Sequence, residues 1–275
     1  MTAAALPTVR RRPLLTARRV SAVISHGYIW LCLFVFVMPF LALLGYSFAS
    51  PNGTNASQAF EYILTGFGEN LVWSLRISAL AMLIDLVVSL PAAYALVRYP
   101  FPGKRLLFSA LTLPLYVPGA VIGISLVLTY TFTYHLTSEW GLVLGMAVGT
   151  FPLMLTPIVV AMKDLPVVFE EAAECLGATK WQTYWRVVFP LIGPGVGAGL
   201  LLSFIIVFNE YLVTLFIHPP GLVTAPLRVF NQIRTAGLAP STAALAVIMQ
   251  LISFTAVILF FRFFGARHLK GTYLL

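Results

Sequence analysis

The chain has 275 residues, of which 60% are hydrophobic and 9% charged, with a mean hydropathy of +0.93. A soluble domain carries about 25% charged residues, so this composition excludes one and describes a polytopic membrane protein. The basic excess, 17 Lys and Arg against 9 Asp and Glu, would suit a nucleic-acid binder, but its placement along the chain assigns it to membrane topology, and no nucleic-acid partner is expected.

Residues 1–27 read as a basic tail with Arg10, Arg11, Arg12, Arg18 and Arg19. Beyond it, a spanning helix needs about 20 apolar residues, because the hydrocarbon core is about 30 Å thick and each helical residue rises about 1.5 Å. Runs of this kind lie at 28–48, 71–97, 106–134, 142–162, 192–217 and 242–264. Backbone inside a bilayer must satisfy its own hydrogen bonds, so these runs predict six transmembrane helices and an all-α protein. A β-barrel would show segments of about 10 alternating residues instead. No cleavage site is evident before or within the first run, which is expected to remain as an uncleaved span. The organisation is therefore tail 1–27, first span with an outer loop 28–69, a five-span core 70–264 containing a polar loop at 165–190, and a tail 265–275. The outer stretch 50–68, rich in Asn, Ser, Thr and Gly, reads as a solvated connection.

Lys and Arg in short loops stay cytoplasmic. Placing the N-terminus inside puts 14 of the 17 basic residues on that side, which predicts a multi-pass protein with both termini and the 165–190 loop in the cytoplasm. Arg76 is expected to snorkel to the outer interface, and Arg228 and Arg234 fall in the last outer loop.

Two acids lie inside the predicted spans, Asp85 in the second and Glu210 in the fifth, the latter within Asn209-Glu210-Tyr211. A charge at the centre of a span costs at least about 2.5–3.5 kcal/mol, which makes each a functional candidate. Two readings stay open. Either these acids bond neighbouring helices, with Gln250 and Tyr130 as partners, or Asp85, Asn209, Glu210 and Tyr211 line a polar path. Prolines 91, 114, 118, 152 and 157 are expected to kink or break spans. Gly193, Gly195, Gly197 and Gly199 are expected to allow close helix packing.

The 165–190 loop is a polar island. Set out at 100° per residue, a helix over 167–176 groups Val168, Ala172, Cys175 and Leu176 on one face and Glu170, Glu171 and Glu174 on the other. Asp164 and Pro166 suit its start and Gly177 its end. A second short helix over 179–188 groups Trp181, Tyr184, Trp185 and Val188, as at a membrane interface. A helix resting on anionic lipid would oppose its apolar side with Lys and Arg. Three glutamates point to a protein partner rather than to lipid headgroups.

Glu171-Ala172-Ala173, three residues, Gly177, nine residues, Val187, one residue, then Phe189-Pro190 resembles the EAA loop of binding-protein-dependent ABC importer permeases. Val and Phe replace the usual Ile and Leu. The resemblance covers about 70–264 and implies a type I ABC importer permease fold. It makes Glu170, Glu171, Ala172, Ala173, Glu174, Gly177, Ala178 and Pro190 the residues that couple to an ATPase. It also implies a dimer of ATP-binding subunits holding ATP and Mg, a second permease subunit, an extracytoplasmic solute-binding protein and a location in the bacterial inner membrane. Residues 208–250 are similar to spermidine/putrescine permeases, which implies a polyamine cargo, although permeases for iron(III), thiamine and phosphonates look like the same subgroup. A secondary carrier or channel working without an ATPase is the alternative.

No catalytic or metal site is expected in this chain. The Gly103-Lys104 pair lacks the earlier Gly and following hydroxyl of a P-loop. His26, His135, His218 and His268 lack metal-ligand spacing, and Cys32 and Cys175 suggest neither a disulfide framework nor a metal site.

Overall fold

The computed structural model describes residues 14–48, 56–129 and 138–265. The first 13 residues of the N-terminal tail, residues 49–55 of the outer loop, Tyr130, His135 and the C-terminal tail beyond 265 lie outside the described residues. Among the described residues the structure is helical, without strands.

The helices are α1 (Leu14–Ser47), α2 (Ala56–Arg98), α3 (Lys104–Thr112), α4 (Gly119–Leu126), α5 (Glu139–Asp164), α6 (Val168–Cys175), α7 (Lys180–Thr183), α8 (Phe189–Leu191), α9 (Gly193–Asn209), α10 (Leu212–Ile217), α11 (Ala225–Ala236) and α12 (Pro240–Phe260). Four stretches are long and apolar enough to cross a membrane: Ser25–Ser47, Thr65–Arg98, Glu139–Asp164 and Pro240–Phe264. Two bent pairs, Lys104–Tyr116 with Gly119–Thr129 and Lys180–Leu191 with Gly193–Asn209, bring the number to six if each is one span.

The third span breaks where Pro114 and Pro118 were expected to interrupt it, whereas the fifth breaks where no interruption was expected. The third turns through 102°, because Val117 is extended (φ −94°, ψ 127°) before Pro118. A residue preceding proline is driven out of the helical region by the ring. In the fifth, the path bends by 68° just before α9, and the helix stops at Asn209. Glu210 is extended (φ −77°, ψ 128°), and residues 212–217, expected as the end of the same span, form the separate helix α10. The second span also departs from expectation, because α2 starts at Ala56 and takes in most of the outer stretch read as a solvated connection. Buried Phe67 and Leu71 pack with Phe208, Ala225 and Leu245, which gives that extension an apolar anchor.

The core is built on α5, which packs against α2 and α9, while α2 also packs on α9. The α5–α9 seam is backbone on backbone. A methyl group added at Gly195 would sit 2.7 Å from the Pro157 carbonyl oxygen, and one at Gly199 would sit 3.0 Å from that of Met154. The glycines expected to permit close approach do so at these two positions. The broken pieces α4 and α10 pair with each other. Helix α1 leans on α12, with Tyr46 donating to the Leu238 carbonyl at 2.7 Å, and from Tyr28 onward leaves most of its apolar side chains exposed.

Candidate functional site

The α5–α6 connection and the turn after α6 are both tightly determined. Gly177 adopts φ +87°, a conformation that disfavours any side chain, with its N–H on the Glu174 carbonyl at 2.9 Å and the Ala178 N–H on the Ala173 carbonyl at 3.0 Å. This reversal stops α6 and satisfies its last carbonyls. Two residues on, Thr179 and Gln182 cap α7 reciprocally, each side chain bonding the other's backbone N–H.

The loop helix presents its apolar face outward. Val168 is 66% exposed and Leu176 90%, with Ala172 and Cys175 exposed between them and Glu171 and Glu174 exposed alongside. Glu170 does not join those two acids as its expected face required. It is buried, with its carboxylate 2.6 Å from Arg98 Nε and accepting a bond from the Tyr94 hydroxyl at 3.1 Å. Arg98 Nη2 also donates to the Leu165 carbonyl at 3.0 Å. One guanidinium thus joins the end of α2, the end of α5 and the start of α6. Removing one member of a buried ion pair strands the other and costs about 3–5 kcal/mol.

The second helix also divides differently from expectation. Trp181 and Trp185 are exposed, and their rings meet edge to face at 5.5 Å. Tyr184, partly buried, meets Tyr94 edge to face at 5.3 Å. Val188, grouped with these aromatics by spacing, turns into the core against Leu165 and Ile192, because the turn at Tyr184–Val188 is π-helical and shifts the register. Pro190 sits in the first turn of α8, where its missing N–H is harmless. Between α2 and this segment lies a groove of ≈600 Å³ walled by Tyr94, Tyr99, Trp181 and Trp185.

The intramembrane acids are each satisfied, by different means. Asp85 is 1% exposed and accepts a bond at 2.8 Å from the hydroxyl of Thr150 on α5. It lines a pocket of ≈350 Å³ bounded by Leu111, Pro114 and Phe151. Glu210 Oε1 accepts the N–H groups of Leu212 at 2.6 Å and Val213 at 3.1 Å, so this carboxylate caps the start of α10. Asn209, exposed, bonds the Ile205 carbonyl at 2.8 Å and the Ser253 hydroxyl at 3.3 Å, and Tyr211 stacks on Phe230 at 4.9 Å. Neither acid hydrogen-bonds Gln250 among the described residues. The structure holds Asn209, Glu210 and Tyr211 together at one helix break and ties Asp85 to α5.

Sequence reasoning missed Tyr94, Arg98 and Thr150. Arg98 carried a signal of a kind, a cation directly after an apolar run, but positive charge at that place has a topological explanation that hides any other.

The family described as binding-protein-dependent transport system inner membrane component matches residues 85–267. The Escherichia coli K12 molybdenum transport system permease protein ModB is 32% identical over 207 residues, covering 68% of this chain and 88% of that protein. The probable sulfate transport system permease protein cysT of Chlorokybus atmophyticus is 30% identical, covering 66% and 69%. The spermidine/putrescine permease protein PotC of Escherichia coli K12 is 29% identical, covering 60% and 62%. Among solved structures, a chain of a bacterial ABC transporter importing alginate superposes with a TM-score of 0.70 at 13% identity, covering 90% of this chain and 99% of that one. The fold is thus that of a type I ABC importer permease, a transport subunit and not an enzyme, and the chain belongs to the family of binding-protein-dependent transport system inner membrane components.

Proposed function

We propose that this chain is the pore-forming subunit of an ATP-driven importer of a small oxyanion of the molybdate or sulfate kind. It pairs with a second permease subunit, identical or homologous, and receives cargo from an extracytoplasmic binding protein. A dimer of ATP-binding subunits carrying ATP and Mg drives it from the cytoplasm, where both termini lie. The observation that carries the reading is the exposed face of α6. Val168, Ala172, Cys175 and Leu176 form an apolar stripe beside Glu171 and Glu174 on a helix fixed at both ends. Such a stripe marks an interaction surface, and the glutamates beside it suit a protein groove better than anionic lipid. Glu171, Ala172, Ala173, Glu174, Gly177 and Ala178 are the contact and turn residues of this coupling, and Pro190 starts the helix that leads back into the membrane.

The cargo assignment follows the relatives at 30% identity or more, whose names specify molybdenum and sulfate. It also agrees with the state of Asp85, which is buried and tied to Thr150, while Glu210 has one carboxylate oxygen taken up by two amides. Asp85 and the break at Asn209, Glu210 and Tyr211 line the translocation path, with Glu210 shaping it. A polyamine is the second reading, favoured by the likeness to PotC and by the acids themselves.

Vesicles containing the permease, its ATPase and its binding protein test this directly. ATP-dependent uptake of labelled molybdate or sulfate is expected. Uptake of spermidine in their place selects the polyamine reading, and transport by the permease without any ATPase overturns the importer.

A further inference from the structure

We propose that Tyr94, Arg98 and Glu170 form a strut that carries motion between α6 and the α2–α5 pair, with Glu170 a positioning residue facing inward rather than a contact to the ATPase. The inference rests on the importer reading, since it presumes that an ATPase moves α6.

Glu170 stands in the first turn of α6, yet every hydrogen-bond partner of its carboxylate lies on α2: Arg98 at 2.6 Å and Tyr94 at 3.1 Å. Arg98 closes the triangle on the Leu165 carbonyl at the end of α5. Both members of the ion pair are largely buried, so the attraction is little screened by water or salt. The bonds are also redundant in direction. Tyr94 lies one turn before Arg98 on α2, so Glu170 is gripped at two heights along that helix, which resists rocking as well as sliding. By contrast, the other end of α6 is held by backbone bonds of its own turn, local contacts that anchor nothing outside the loop. A push on the exposed stripe is therefore delivered through the Glu170 end.

The receiving side is suited to transmit it. Helices α2 and α5 pack along one another, and Asp85, 13 residues before Arg98 and about 20 Å away at helical rise, is bonded to Thr150 of α5. The pair is pinned at the strut and again at Asp85. Displacement of α6 then moves both helices together and reaches the depth of the ≈350 Å³ pocket that Asp85 lines. A loop helix without the strut would still bind its partner, because the exposed stripe is untouched, but would swing without moving the spans.

The test uses the full complex in vesicles, with whichever of molybdate, sulfate and spermidine the wild-type complex takes up. For Glu170→Gln the ATPase should co-purify at the wild-type level and hydrolyse ATP within about threefold of the wild-type rate, while uptake falls at least tenfold. The uptake-to-hydrolysis ratio is the diagnostic, because loss of fold lowers both and loss of docking removes the ATPase. Tyr94→Phe keeps the ring and removes one bond, and should lower the same ratio two- to threefold in a normally folded protein. Full uptake in Glu170→Gln, loss of the bound ATPase in that variant, or an unchanged ratio in Tyr94→Phe overturns the strut. A wild-type complex that binds no ATPase overturns the importer reading itself, and the strut with it.

Discussion

The chain treats its unusual residues in opposite ways at two places. In the α6 segment, apolar side chains are left in the open: Leu176, at 90% exposure, could hardly be less used by its own fold. In the spans, where a lone charge is most costly, both acids are met, Asp85 by a hydroxyl from another helix and Glu210 by the amides of its own. The difference separates residues kept for another molecule from residues kept for this one. An exposed apolar residue whose removal leaves the fold alone belongs to a partner, whereas a satisfied buried acid belongs first to the architecture.

Leu176→Glu is the sharpest way to break this contrast. It should leave thermal unfolding of the purified permease unchanged yet weaken ATPase retention about a hundredfold, as about 2.7 kcal/mol is lost from an apolar contact and a charge is stranded in it. Affinity capture of the ATPase with a melting curve on the same sample measures both. If the melting temperature falls instead, the residue serves the fold. Thr150→Val should do the reverse. Asp85 is left buried without its donor, which costs about 2 kcal/mol, so the melting temperature falls while ATPase capture holds. An unchanged melting curve would mean that Asp85 draws nothing from Thr150. The smallest effect belongs to Glu210→Ala, which removes the cap of α10 at about 1 kcal/mol, visible as faster hydrogen exchange over 212–217. Glu210→Gln keeps a cap oxygen and should lose less than threefold in uptake. A tenfold loss in Gln would show that the charge itself faces the cargo.

Much of the architecture was legible because burial in lipid is a sum over residues, and the four long apolar helices announce themselves in any window of about 20. Windows of that length hide the breaks for the same reason, and only the prolines of the third span announced one. A window centred on Pro118 or on Glu210 averages over the interruption, and residues 212–217 are as apolar as the helix they leave. Pro118 did carry a local signal, but Glu210 carried none, since its role depends on a side chain folding back onto amides two and three residues ahead. At the loop, helical spacing sorted the apolar stripe correctly and misjudged Glu170. Glu170 and Glu174 lie within about 40° of one another on a helix, yet one is buried and the other exposed. The wheel gives azimuth but not height, and Glu170 stands in the first turn of α6, where Tyr94 and Arg98 of α2 reach it. Arg98 and Glu170 are 72 residues apart, a separation at which nothing in one sequence reveals a contact.

The seam where Gly195 faces Pro157 and Gly199 faces Met154 has a bearing on how such a protein can change over generations. At Gly195 only hydrogen fits, and no substitution on α5 can make room because the obstacle includes the main-chain oxygen of Pro157; at Gly199 the nearest atom is the side-chain sulfur of Met154, with its main-chain oxygen at 3.0 Å. Drift at Gly195 has nowhere to go, whereas a change at Gly199 needs Met154 to give way. On the proposed coupling role, the open stripe on α6 is under a different regime, since a change at Leu176 can be answered by a change in the partner's gene. The Gly195 contact is thus inherited as geometry and the proposed docking at Leu176 as an agreement between two chains, and lineages that exchange their ATPases are expected to differ at the second while keeping the first.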